Sequence, residues 1–76
     1  MKVKAYVLIE ARVGKTRQVI EAIRGFKGVS SVESVTGPYD AIAVLTTKTT
    51  TEINDLIVAM VQPTDCISRT VTCIAV

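Results

Sequence analysis

The chain opens with a stretch rich in β-forming residues, Val3 to Glu10, in which every odd position is apolar. This pattern predicts a strand. A helix should follow from Gly14 and end between Gly25 and Gly28, since glycine is a common helix stop. The apolar positions of this segment recur at the spacing of one helical face: Val19, Ala22, Ile23 and Phe26.

Two more strands are predicted in the middle of the chain. Valines placed among serines from Val29 to Thr36 indicate a weak strand of the kind found at a sheet edge. The segment Gly37-Pro38-Tyr39-Asp40 consists of turn-forming residues. It leads directly into Ala41 to Thr47, whose sequence AIAVLTT is typical of a strand.

The last third of the chain repeats the scheme of a helix followed by a strand. Thr49 and Glu52 have the spacing of a capping box, in which each side chain accepts from the other's backbone N–H at a helix start. A helical stripe of Ile53, Leu56, Ile57 and Met60 follows and ends near Gln62 and Pro63. Cys66 to Val76 is predicted to be the closing strand. The order βαββαβ predicts an α+β, ferredoxin-like fold: a four-stranded antiparallel sheet with two helices on one face.

The two strands expected at the sheet centre are apolar on both faces. In the first strand Val3, Ala5, Val7 and Ile9 can face the helices, which leaves Tyr6 and Leu8 on the opposite, open face. In the third strand Ile42 and Val44 share one face, and Ala41, Ala43 and Leu45 share the other. Helices cover only one of these faces, so the other needs a partner. We expect at least a dimer.

The closing strand offers two rows of side chains. Ile67, Val71, Cys73 and Ala75 form one row, which we assign to the helix side. The alternate row carries the hydroxyls of Ser68, Thr70 and Thr72, which we expect on the open side.

Composition limits the classes of function. The 76 residues suit one domain, residues 1–76. The net charge is only +2, Lys and Arg form no run, and aromatic residues make up 4 %, so direct nucleic-acid binding is not expected. The longest apolar run, Leu56 to Val61, is far shorter than the roughly 20 residues of a membrane span. We expect a cytoplasmic protein with no membrane partner.

Residues suited to catalysis or to metal binding are scarce. The chain has no histidine, and its seven carboxylates show no paired arrangement, so we predict no catalytic residue, no metal site and no cofactor. Gly14-Lys15-Thr16 matches only the end of a phosphate-binding loop, whose first glycine would fall at Ile9. Dimeric α+β barrel enzymes share this order of elements, so a small enzyme remains an alternative.

The segment Val35-Thr36-Gly37-Pro38-Tyr39-Asp40 resembles the G-x-[aromatic]-D turn of the Lrp/AsnC (leucine-responsive regulator) family. The resemblance is to the C-terminal ligand-sensing module, called the RAM domain. It extends over the chain through the opening strand AYVLIEA, the Gly-Lys start of the first helix and the closing RTVTCIAV. The helix-turn-helix usual in the family has no counterpart here, which predicts a stand-alone RAM module.

The resemblance implies a regulatory sensor of a small molecule, typically an amino acid. In that family subunits pair through their sheets, dimers assemble into rings, and effectors bind between subunits near the turn. Carried onto this sequence, the ligand-binding residues are Gly37, Pro38, Tyr39, Asp40, Thr70 and Thr72. Co-assembly with full-length Lrp/AsnC-type regulators is a further implied partnership. The alternatives are a simple structural turn in a ligand-free assembly domain, and an ACT-type regulatory domain of the same fold.

Overall fold

A computed structural model describes residues 2–62 and 65–76. The elements are β1 (Val3–Ala11), α1 (Thr16–Arg24), β2 (Val29–Ser34), β3 (Ala41–Thr47), α2 (Thr50–Val61) and β4 (Ile67–Ile74). They form one antiparallel sheet in the order β2-β3-β1-β4. The ferredoxin-like α+β fold is confirmed, with β1 and β3 central and β2 at an edge.

Both helices pack on one face of the sheet and build the core there. Ala5, Val7 and Ile9 of β1 are fully buried, and so are alternate residues of β3. They share one cluster with the apolar stripes of the helices, which consist of Val19, Ile20 and Ile23 in α1 and of Ile53 and Met60 in α2. The predicted side-chain alternation of the two central strands is therefore confirmed.

Several elements begin or end one to a few residues away from the predicted positions; β1 ends at Ala11 and α1 begins at Thr16. β2 ends at Ser34 rather than Thr36, because the Val35 N–H donates to the Asp40 carbonyl (3.0 Å) and closes the turn. β4 is shorter at both ends than the predicted strand. α2 ends at Val61, and Pro63, near which its end was predicted, lies outside the described residues.

The predicted assignment of faces in β4 is wrong for Thr70, Val71, Thr72 and Cys73. Thr70 lies opposite Ile9 and Thr72 opposite Val7, and residues directly opposite in a sheet share a face. The two hydroxyls therefore lie on the helix side. Val71 and Cys73, which lie opposite Leu8 and Tyr6, are on the side away from the helices.

A β-bulge explains why one apolar residue of β4 still reaches the core. The register shifts between Glu10 and Ala11, so that Arg69 lies opposite Glu10 but Ile67 lies opposite Ala11. The extra residue turns Ile67 onto the helix side, where it is buried. We call the opposite side the open face; its apolar members are Tyr6, Leu8, Ile42, Val44, Val71 and Cys73.

The predicted capping box at the start of α2 forms with one change of partner. The Thr49 Oγ1 accepts from the Glu52 N–H (3.1 Å), as predicted. The Glu52 carboxylate accepts from the N–H of Lys48 (3.0 Å) instead of that of Thr49. The turn entering α2 is therefore fixed from both sides.

Gly28 and Gly25 give a matched test of backbone conformation and packing. Gly28 has φ +100°, and a Cβ there would lie 2.8 Å from the Leu56 Cδ2, whereas Gly25 has φ −83° and open space around it. We expect Gly28→Ala to lower the free energy of unfolding by about 2–4 kcal/mol. Gly25→Ala should leave it unchanged or raise it by up to about 1 kcal/mol. Equal urea midpoints for the two variants, at matched protein concentration, would contradict this.

Candidate functional site

The turn between β2 and β3 is anchored to the end of β1 by backbone hydrogen bonds. The Asp40 N–H donates to the carbonyl of Ile9 (2.9 Å), while the Asp40 carbonyl accepts from Val35. Gly37 has φ +155°, a conformation that residues with a side chain rarely adopt. Within residues 2–62 and 65–76, the N–H groups of Gly37 and Tyr39 have no protein acceptor. The turn is therefore anchored to β1, and the N–H groups at its tip are available to donate to a ligand.

The Asp40 side chain has a structural contact of its own. Its Oδ2 accepts from the backbone N–H of Ala11 (2.8 Å), 29 residues away in the chain. This bond satisfies an N–H at the β-bulge, where the ladder to β4 is interrupted. Asp40 is only half-buried, and among the described residues its Oδ1 has no hydrogen-bond partner. One carboxylate oxygen thus supports the fold while the other is available to a ligand.

A groove of about 580 Å³ lies beside this carboxylate, along the end of β1 and the loop that follows it. Its charged members are Glu10, Arg12 and Asp40, and Pro38 and Ser68 also line it. The Arg12 side chain is held in place, since its Nε donates to the carbonyl of Asp65. The groove therefore presents two carboxylates and one guanidinium, and so offers both signs of charge.

Tyr39 does not line this groove, and its side chain contacts β4 instead. The Arg69 Nη2 donates to the Tyr39 hydroxyl (3.3 Å), and the guanidinium lies 5.4 Å from the centre of the tyrosine ring. Cation–π contacts fall within about 6 Å of the ring centre. Because Arg69 shares the open face with Val71, the contact joins the turn to that face.

The structure brings together part of the predicted set of site residues. Pro38 and Asp40 line the groove, and Gly37 and Tyr39 belong to the same turn. Thr70 and Thr72 lie on the helix side of β4 and are not among the groove residues. Glu10, Arg12 and Ser68, which also line the groove, are not among the predicted site residues. Glu10 had a signal, because it ends the apolar run of β1, whereas the other two come from loop and bulge positions that the pattern does not distinguish.

The chain matches the model of a known protein family. The model of the Lrp/AsnC ligand binding domain covers residues 4–76, nearly the whole chain. The chain belongs to this family. The Lrp/AsnC ligand binding domain is a regulatory domain rather than an enzymatic one, and the matched range includes the turn and the groove.

Solved structures share the fold of this chain. TTHA0845 from Thermus thermophilus is 34 % identical with a TM-score of 0.91, over 97 % of this chain and 92 % of its own. PHS023 from Pyrococcus horikoshii is 30 % identical with a TM-score of 0.89, and the match covers 97 % of this chain and 89 % of PHS023. The regulator NMB0573 from Neisseria meningitidis, solved with L-Met, shares the fold at 12 % identity and a TM-score of 0.83, over 97 % and 49 %. No curated protein matches significantly.

Two further observations on this Lrp/AsnC domain concern metal ions and membranes. In residues 2–62 and 65–76, no three Cys, Asp or Glu side chains lie close enough together to bind a metal ion. None of the helices in the described part is long and apolar enough to cross a membrane.

Proposed function

We propose that the chain is an amino-acid-sensing regulatory module that works through oligomerisation. The observation that carries the proposal is the groove at the end of β1, where Asp40 and Glu10 lie with Arg12 beside the donors of the turn. An α-amino acid is a zwitterion, and its recognition requires an acceptor for the ammonium and donors for the carboxylate at close range. The groove offers both.

Each half of the zwitterion has a suited partner in this arrangement. The Oδ1 of Asp40 is the acceptor for the ammonium, because the Oδ2 is already bonded to Ala11. Glu10, on the same groove, adds negative charge. The Arg12 guanidinium, which lines the groove, and the backbone N–H groups of Gly37 and Tyr39, on either side of Pro38, are donors for the carboxylate.

Family relationships support an amino acid as the class of effector. NMB0573, whose domain shares this fold, is a transcriptional regulator in complex with L-Met. We assign this chain an effector of the same chemical class and no direct contact with DNA. In our proposal the regulation of transcription, in the cytoplasm, is exerted through co-assembly with full-length Lrp/AsnC-type regulators.

Oligomerisation through the open face is part of the same proposal. Tyr6 is 39 % exposed, and Leu8, Ile42, Val44 and Val71 are only half-buried by their neighbours in the sheet. The helices cover the other side. A second copy pairing through this face would remove the apolar surface from water, which contributes roughly 25 cal/mol per Å².

A second candidate function, a ligand-free assembly domain, is favoured by the bond from Ala11 to Asp40. That bond gives the carboxylate a structural reason to be present even if no ligand binds. Under this alternative the turn only closes the sheet and the open face carries the function.

Thermal unfolding in the presence of each standard amino acid separates the two candidates. A ligand that binds only the native state at about 100 times its dissociation constant adds about 2.7 kcal/mol, a rise in melting temperature of roughly 10 °C or more for a domain of this size. We expect such a rise with one amino acid or a small group of them. No rise with any of them, at saturating concentrations, would support the assembly domain.

A further inference from the structure

A second cleft lies at the other end of the sheet, near the start of β1 and the end of β3. Its volume is about 830 Å³, and it is lined by three lysines, Lys2, Lys27 and Lys48. Most of the length of β1 separates it from the groove at the turn, a distance of about 25 Å along a strand. It is therefore a separate site from the one assigned to the effector.

The fold gathers the three lysines from distant parts of the chain. Val3 lies opposite Thr47 in the sheet, which places Lys2 beside Lys48. The Thr46 N–H donates to the carbonyl of Gly28 (2.8 Å), and this bond brings Lys27 to the end of β3. The cluster is not visible in the sequence, where the three positions are far apart.

The positive charge of this cleft is only partly balanced. Among the described residues the one ion pair joins Arg17 and Glu21, so none of the three lysines is in a salt bridge. Glu52 is the single carboxylate of the cleft, and it accepts from the backbone N–H of Lys48. Three ammonium groups and one carboxylate leave a net charge of +2. A cleft lined mainly by one sign of charge concentrates the opposite ion.

The lining of the cleft adds polar donors to this charge. The hydroxyls of Ser30 and Thr46 are 2.9 Å apart, so one donates to the other and the second keeps a proton for a ligand. The space behind Gly28 is closed by Leu56, whose Cδ2 would lie 2.8 Å from an added Cβ. A ligand in the cleft would thus contact hydroxyl and ammonium groups, and the side formed by Gly28 and Leu56 is closely packed.

We propose that this cleft binds the phosphate group of a small phosphorylated molecule. A phosphate monoester carries a charge of about −1.5 to −2 and three strong acceptor oxygens, which matches the net charge and the several separate donors. Lysine binds phosphate as a point charge and needs no planar, two-pronged geometry. A carboxylate, with one negative charge, would leave part of the positive charge unbalanced.

Titration with inorganic phosphate at constant ionic strength, followed by the backbone amide resonances, tests the proposal. We expect saturable shifts confined to the neighbourhood of Gly28, Thr46 and Lys48. Lys48→Gln should weaken phosphate binding by about tenfold, the lower end of the effect of losing a charged hydrogen bond. Lys15→Gln removes the same charge at the start of α1, outside the cleft, and should leave the affinity unchanged.

Three outcomes would overturn the proposal. The first is shifts that spread over all the lysines or rise without saturation, as expected for general screening of charge. The second is an equal loss of affinity in the Lys48 and Lys15 variants. The third is a response of the same amides to a short DNA duplex but not to phosphate, which would assign the cleft to a nucleic-acid backbone instead.

Discussion

Replacing Asp40 by asparagine should weaken amino-acid binding by about ten- to hundredfold and leave the fold intact, since a hydrogen bond to a charged group contributes about 1.5–3 kcal/mol. Asparagine keeps an oxygen that can accept from the Ala11 N–H, so the structural bond survives. What it removes is the negative charge facing the ligand's ammonium. Calorimetry with the amino acid that gives the largest thermal stabilisation measures the change.

Asp40→Ala separates the structural role of the residue from its binding role. This variant loses the acceptor for Ala11 as well as the charge, and an unsatisfied N–H that is partly buried costs about 1–3 kcal/mol. We therefore expect Asp40→Ala, but not Asp40→Asn, to unfold at a lower temperature in the absence of ligand. Asp55→Asn is the matched control, because Asp55 is exposed on α2, away from the groove.

The binding proposal fails if Asp40→Asn binds the amino acid as tightly as the wild type. In that case the ammonium is held elsewhere, and Glu10 is the next carboxylate to replace. A loss of affinity in Asp55→Asn of similar size would show that general electrostatics, and not this oxygen, controls binding.

The sequence predicted the architecture because the relevant patterns are local. The alternation of β1 and β3 repeats every two residues, and Thr49 and Glu52 lie within one helical turn of each other. Such signals arise between residues that are close together in the sequence, so they do not depend on the tertiary structure. The order of elements then restricts the topology to very few arrangements.

The sequence pattern could not predict which side chains of β4 face the helices, for a physical reason. A pattern of apolar and polar residues identifies the buried face of a strand only when the other face contacts solvent. Here both faces of the sheet carry apolar residues. The apolar character of Val71 and Cys73 predicts that they face the helices, yet both lie on the open face. The bulge beside Glu10 adds a shift of register that no alternation pattern reveals.

The turn was predictable from the sequence, but its long-range contacts were not. The turn residues stand out by composition, whereas the bond from Ala11 to Asp40 spans 29 residues and depends on the folded sheet. The same holds for Arg69 against Tyr39, 30 residues apart. Contacts of this kind decide which oxygen of Asp40 remains available, and only the three-dimensional structure supplies them.

Replacing Leu8 by lysine should dissociate the protein into monomers, with a loss of association of more than about a hundredfold, because an unpaired ammonium in an apolar interface costs several kcal/mol. Leu8 lies at the centre of the open face, between Ile42 of β3 and Val71 of β4. In the monomer its side chain is only half-buried, so the lysine can extend into water and the fold is retained. Sedimentation at micromolar concentration measures the change.

Val58→Lys is the matched control for this experiment. Val58 is also apolar and is 54 % exposed, but it lies on α2, on the opposite side of the sheet. The same change of chemistry there should leave the oligomer intact, because that side is not the proposed interface. A wild-type protein that sediments as a monomer would refute pairing through the open face. Dissociation by Val58→Lys, with Leu8→Lys still assembled, would move the interface to the helices.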